Sequence, residues 1–217
     1  MTPRSAHEGY AHTWTRHAAG PALILPDGCL DVIVRPDGEA VVAGPDAVAR
    51  EHVGDGRYSG VRFSHGLGPL VLGVPADELT DRVVPLADVV GPVGDVGTWL
   101  RGRLRDLPDD RWARFVFEAS DRGVPVAAIA DRLDLSARTL RRRCLTRFGY
   151  GPQHLGRVLR LQRAVTRRRD GRAWGDVAAD SGYVDQQHLA REVRALTGRT
   201  PSALVAPSGP RGRSRQQ

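Results

Sequence analysis

The sequence predicts an α+β chain in which a small β-rich domain precedes an all-α domain with two helix-turn-helix units. Three observations predict it. Short apolar runs separated by Pro-Asp-Gly occupy the front of the chain, capped helical patterns take over after Gly91, and one segment of the back half recurs 49 positions later. The division that follows is a β-rich domain over 1–92, a linker helix over 93–108, an all-α domain over 109–206 and a disordered basic tail over 207–217.

Met1 to Gly20 is polar and weakly patterned, and reads as a loosely attached lead-in. Strands follow at Ala22–Leu25, Leu30–Arg35 and Glu39–Ala43, separated by Pro26-Asp27-Gly28 and Pro36-Asp37-Gly38. Proline presets φ and glycine supplies a positive φ, so each tripeptide reads as a hairpin turn. Arg57–Phe63 is a further strand, and Leu67–Leu72 and Ala76–Leu79 are short helical turns. Helices are expected over Val93–Leu107, stopping before Pro108, and over Asp109–Arg122, which opens with acids and stops at Gly123.

The repeat carries the rest. Ala130-Asp131 recurs as Ala179-Asp180, Ser136 as Asp185, Leu140 as Leu189, Arg142 as Arg191, Gly149 as Gly198 and Pro152 as Pro201. Each copy reads as a short helix, a tight turn, an N-capped longer helix, a glycine stop and a proline at the next helix start. Val126, Ile129, Ala130 and Leu133 share one face of the first short helix, and Ala137, Leu140, Cys144 and Phe148 one face of the longer helix after it. In the second copy Trp174, Val177 and Ala178 are followed by the stripe Leu189, Val193 and Leu196. Between the copies, Leu155, Val158, Leu159, Leu161 and Val165 stripe a helix over Gly151–Arg169, long enough to space two helices on the scale of one DNA turn.

Charge points to a partner. The net charge is +7, divided as −6 over residues 1–100 and +13 over the remainder, and every basic residue is arginine. A polyanion suits the back half. Arg138, Arg141 and Arg142 cluster on the outer face of the first long helix, and Gln187 and Arg191, with Gln186 alongside, on the second. Arginine and glutamine are the side chains that pair with guanine and adenine edges in the major groove. Arg143, Arg147 and Arg194 lie to the side, where phosphates are met.

Other classes are disfavoured. Cys29 and Cys144 are too few for a disulfide or metal framework, and read as small hydrophobes in a reducing cytoplasm. No stretch of about 18 apolar residues suggests a membrane span. His12, His17, His52 and His65 are scattered, so neither metal nor cofactor is expected, and Asp27 and Asp31 read as turn residues rather than catalytic carboxylates. The tryptophans, Trp174 among them, read as core or interface. The alternative from another class is a small β-domain enzyme with an appended DNA-binding module, which lacks a nucleophile–base constellation. A third reading, a nonspecific nucleoid or RNA-binding protein, does not account for two distinct outer faces.

Ser136-Ala137-Arg138-Thr139-Leu140-Arg141-Arg142 resembles the first recognition helix of the AraC/XylS family of bacterial regulators. Gly182 through Val193, followed by Thr197-Gly198-Arg199-Thr200-Pro201-Ser202, resembles that family's signature. The resemblance covers Asp109–Val205 and implies a seven-helix DNA-binding unit acting in transcription regulation. It departs from the family at Cys144 and Val193, inner positions where a phenylalanine is usual. Leu25 through Asp31 and Gly60-Val61-Arg62-Phe63 resemble an N-terminal domain of one branch of the family. Family analogy makes that domain a cupin-like module for sensing or dimerisation. The partners implied are double-stranded DNA, with a small-molecule effector, a homodimer and RNA polymerase left open.

Overall fold

A computed structural model describes residues 11–105, 107 and 110–204. The tail expected over 207–217, and residues 1–10 of the lead-in, lie outside the described residues.

The front half forms one antiparallel sheet in the order β1-β4-β2-β3-β5, from β1 (Ala11–Ile24), β2 (Leu30–Val34), β3 (Ala40–Ala43), β4 (Arg50–Phe63) and β5 (Val83–Pro85). Among the described residues it is one five-stranded sheet. Pro36-Asp37-Gly38 closes the β2–β3 hairpin as expected. Gly38 has φ +88° and donates its N–H to the Arg35 carbonyl at 3.0 Å, and Glu39 N–H donates to Asp37 Oδ1 at 2.9 Å.

Two expectations for this half are corrected. Residues 11–20 are not a loose lead-in but most of β1, which pairs with β4 along all 14 residues. The strand lies at the sheet edge, with most side chains exposed or half-exposed, so it carries no apolar alternation. Pro26-Asp27-Gly28 is not a hairpin turn either, since β1 and β2 are each paired to β4 rather than to one another. The turn carries the chain across β4, with Asp27 Oδ1 accepting from Cys29 N–H at 3.0 Å.

Leu30, Val32, Val42 and Phe63 pack beneath α1 (Gly68–Leu72), a 3-10 turn (Ala76–Glu78), α2 (Leu86–Val90) and α3 (Val96–Arg105). The helix expected as a linker, α3, belongs to this core. Leu100 is buried in it, and Arg103 Nε donates to the Val71 carbonyl at 2.8 Å.

Seven helices follow among the described residues: α4 (Arg111–Asp121), α5 (Val126–Arg132), α6 (Ala137–Phe148), α7 (Pro152–Arg169), α8 (Trp174–Ser181), α9 (Gln186–Thr197) and α10 (Pro201–Leu204). They enclose two apolar clusters. The first joins α4, α5 and α6 to the start of α7 around Val116, Ile129, Leu140 and Leu155. The second joins the end of α7 to α8 and α9 around Leu161, Val165, Val177 and Leu189. Cys144 and Val193 are both buried, one in each cluster. Helix α7 threads both, and its 18 residues span about 27 Å at about 1.5 Å per residue.

Candidate nucleic-acid interface

The repeat seen in sequence is a repeat in geometry. Helices α6 and α9 each have 12 residues, and their ends are offset by the same 49 positions. Ser136 caps α6 by accepting from Thr139 N–H at 3.1 Å, and Asp185 caps α9 by accepting from His188 N–H at 2.6 Å. Gly149 and Gly198 end the two helices at φ +79° and +66°, a conformation that favours glycine. Thus α5–α6 and α8–α9 are two helix-turn-helix units, with α6 and α9 as the longer, second helices.

The outward faces hold the residues expected there. Arg138, Arg141 and Arg142 are exposed on α6, opposite the buried stripe Leu140, Cys144 and Phe148. Arg143 is exposed to the side, with its guanidinium 5.8 Å from the centre of the Trp112 ring. On α9, Gln187, Arg191 and Arg194 are exposed and follow i, i+4, i+7 spacing, so they form one stripe. Gln186 is exposed in the first turn, off that stripe.

Ion pairing separates these arginines from Arg157, Arg160 and Arg163 in the middle of α7. Among the described residues no acid lies within ion-pair reach of Arg138, Arg141, Arg142, Arg191 or Arg194. Helix α7 differs: Arg157 and Arg160 reach Glu192 of α9 at 2.9 and 3.3 Å, and Arg163 holds Asp121 of α4 at 2.9 Å. Those bonds tie the spacer to its neighbours, while the outward arginines of α6 and α9 keep their charge unneutralised for another partner.

Arg147 is not brought together with the outward set. Its guanidinium reaches Asp110 at 2.7 Å, its Nε donates to the Gly66 carbonyl at 3.1 Å, and burial lowers its pKa against the opposing pull of Asp110. It fastens α6 to the segment before α4 and to the sheet domain.

Further contacts of this kind were not legible from local sequence pattern. Thr80 Oγ1 donates to the Gly149 carbonyl at 3.0 Å, and His154 Nε2 to the Ala47 carbonyl at 2.8 Å. Gln162 Nε2 donates to the Pro26 carbonyl at 2.6 Å, and Ala49 N–H to the Leu196 carbonyl at 2.7 Å. Leu25 packs on the cluster of the second unit and Ala47 on that of the first. A cavity of about 10 Å³ between Cys29, Leu30 and Phe63 on one side and Arg147 and Phe148 on the other has room for about one water.

Asp27 and Asp31 do more than make a turn. Arg62 bridges them at 2.7 and 2.9 Å, and Asp31 also accepts from Trp14 Nε1 at 2.9 Å. Burial raises the Asp27 pKa against the pull of Arg62, and raises that of Cys29 well above the ordinary thiol value. Burial likewise pushes Cys144 up to about 12, so both thiols stay protonated at neutral pH. Among the described residues no group of three or more His, Cys, Asp or Glu side chains is placed to hold a metal ion, and no helix is long and apolar enough to cross a membrane.

Residues 129–206 match the family model described as a helix-turn-helix domain, and residues 9–85 match one described as a domain of unknown function (DUF6597). No curated protein matches the chain in sequence. Among solved structures the chain is similar to ToxT from Vibrio cholerae O395, at 10% identity and a TM-score of 0.50, covering 90% of this chain and 96% of that one. ToxT bound to (E)-4-(8-methylnaphthalen-1-yl)but-3-enoic acid gives 11% identity and a TM-score of 0.49 over 89% and 97% of the two chains. The transcriptional regulator CdpR from Pseudomonas aeruginosa gives 22% and 0.38 over 70% and 45%. The first of these likenesses is one of fold: an antiparallel sheet domain followed by a helical domain with paired helix-turn-helix units.

Proposed function

We propose that the chain is a DNA-binding transcription regulator of the AraC/XylS type that reads its target with α6 and α9 in two successive major grooves. One observation carries this reading: two identically capped helices present arginine and glutamine outward with no acid in reach. Arg138, Arg141 and Arg142 on α6, and Gln187 and Arg191 on α9, are assigned to base edges, with Gln186 at the helix start beside them. Arg143 and Arg194 are assigned to flanking phosphates. Helix α7, about 27 Å long, has the scale of the roughly 34 Å between successive major grooves on one DNA face.

The sheet domain, on this reading, serves sensing or association rather than catalysis. A small-molecule effector would act through the seam between the halves, where carbonyls of Pro26, Ala47 and Gly66 accept from side chains of α6 and α7. A second copy of the chain and RNA polymerase are the other partners assigned, and the cytoplasm is the compartment in which promoter DNA is met.

Genome-wide mapping of bound sites, followed by footprinting at one of them, tests the proposal. Two protected blocks about one helical turn apart are expected, with a preference over random competitor DNA that survives rising salt. A single block, or equal affinity for random DNA, would refute it.

A further inference from the structure

We propose that Val184 is a specificity-determining contact of the second unit, reading the C5-methyl group of one thymine. Val184 is 87% exposed, more than any other large apolar side chain among the described residues. It stands in the turn of the second unit, immediately before the N-cap of α9. The repeat makes this exposure informative, because the residue 49 positions earlier, Leu135, packs against the core of the first unit.

The two turns differ in backbone. In the first, the positive φ falls on Asp134, at +51°, after a C-cap at Leu133. In the second it falls one repeat position earlier, on Gly182 at +85°. With that shift Tyr183 is buried and Val184 is left outside. A hydrophobic residue before an N-cap ordinarily packs against the fourth residue of the helix, here Leu189. The exposure of Val184 rules out that staple, so the side chain has no structural task in the free protein.

Its position is nonetheless fixed. Val184 N–H donates to His188 Nδ1 at 3.3 Å, and His188 N–H donates to the capping Asp185 carboxylate. The His188 ring also meets Tyr183 edge-on, with centroids 5.5 Å apart. A β-branched side chain on a fixed backbone has little rotamer freedom to lose on docking. Helix-turn-helix proteins aim the N-terminal end of the second helix at base edges. The apolar group that the major groove offers there is the thymine methyl.

The inference rests on α9 lying in a major groove, and the test separates the two claims. On a site found by mapping, each thymine of the α9 half is replaced in turn by deoxyuridine, which lacks only the methyl. The full-length protein should lose about fourfold in affinity at one position, the worth of one buried methyl group. Val184→Ser should bind thymine and uracil at that position equally, at the weaker level, and Val184→Ile should keep the difference. Gln187→Ala should weaken binding yet keep the difference. If no position distinguishes wild type from Val184→Ser while the α9 half stays protected in a footprint, the valine contact is wrong and the groove assignment stands. If the α9 half is unprotected in wild type, both are wrong.

Discussion

Arg142 and Arg147 stand on the same helix and meet different surroundings. Arg142 is exposed with no acid in reach, whereas Arg147 is held by Asp110 and the Gly66 carbonyl. The sequence already contained the distinction: Arg147 is seven residues after Leu140 and three after Cys144, which places it beside the inner stripe. Its charge, read alone, suggested phosphate. Arg142→Ala and Arg191→Ala should each cost about 1–3 kcal/mol of binding and relax preference at particular base pairs, with thermal stability unchanged. Equal losses on specific and random DNA would remove these residues from base reading. Arg147→Ala should act the other way, lowering stability by about 2 kcal/mol through loss of a part-buried ion pair and leaving Asp110 unmatched. A variant with unchanged melting temperature but uniformly weaker DNA binding would return Arg147 to the phosphate-contacting set.

At the scale of elements, segments with local signals form where those signals fall, and segments specified by distant partners carry no such signal. The caps Ser136 and Asp185, the glycine stops and the apolar stripes of α6, α7 and α9 are local signals, and each element formed within a residue or two of its expected bounds. Strand β1 has no such signal, because an edge strand is specified by its neighbour, here β4, rather than by burial of alternate residues. The turn at Pro26-Asp27-Gly28 carried the right chemistry but the wrong topology, since which strand it feeds is decided by long-range pairing. Helix α7 gives a direct test. One alanine inserted after Val158 adds about 1.5 Å of rise and turns everything downstream by about 100°. The insertion separates His154, bound to Ala47, from Gln162, bound to Pro26, so one of those contacts to the sheet domain must break. The expected product is helical by circular dichroism, less stable, and protects a footprint shorter by about one helical turn. A full footprint at unchanged affinity would show that α7 does not fix the spacing.

In the whole molecule the acidic sheet domain is fastened to both helix-turn-helix units. Thr80 and the Gly66 carbonyl hold the end of α6, while Ala49 reaches the Leu196 carbonyl and Glu51 pairs with Arg199 just beyond α9 at 2.8 Å. Two things therefore restrain the relative rotation of α6 and α9: the spacer between them and the sheet domain across them. A fragment from Asp109 to Gln217 keeps α4 to α10 with both apolar clusters, so it should fold and should select the same site as the full chain. It loses the second restraint and also residues 1–108, whose 10 Arg against 14 Asp and Glu give a net charge of −4. Removing that charge raises affinity for any polyanion, and the gain is greatest at low salt. Binding to random DNA should thus strengthen more than binding to the specific site, and the specificity ratio should fall. Titrating fragment and full chain against specific and random duplexes at two salt concentrations measures all four affinities. A soluble, helical fragment with no preference for the site would mean that the sheet domain is needed to align the two helices. An unchanged specificity ratio would mean that the spacer alone aligns them.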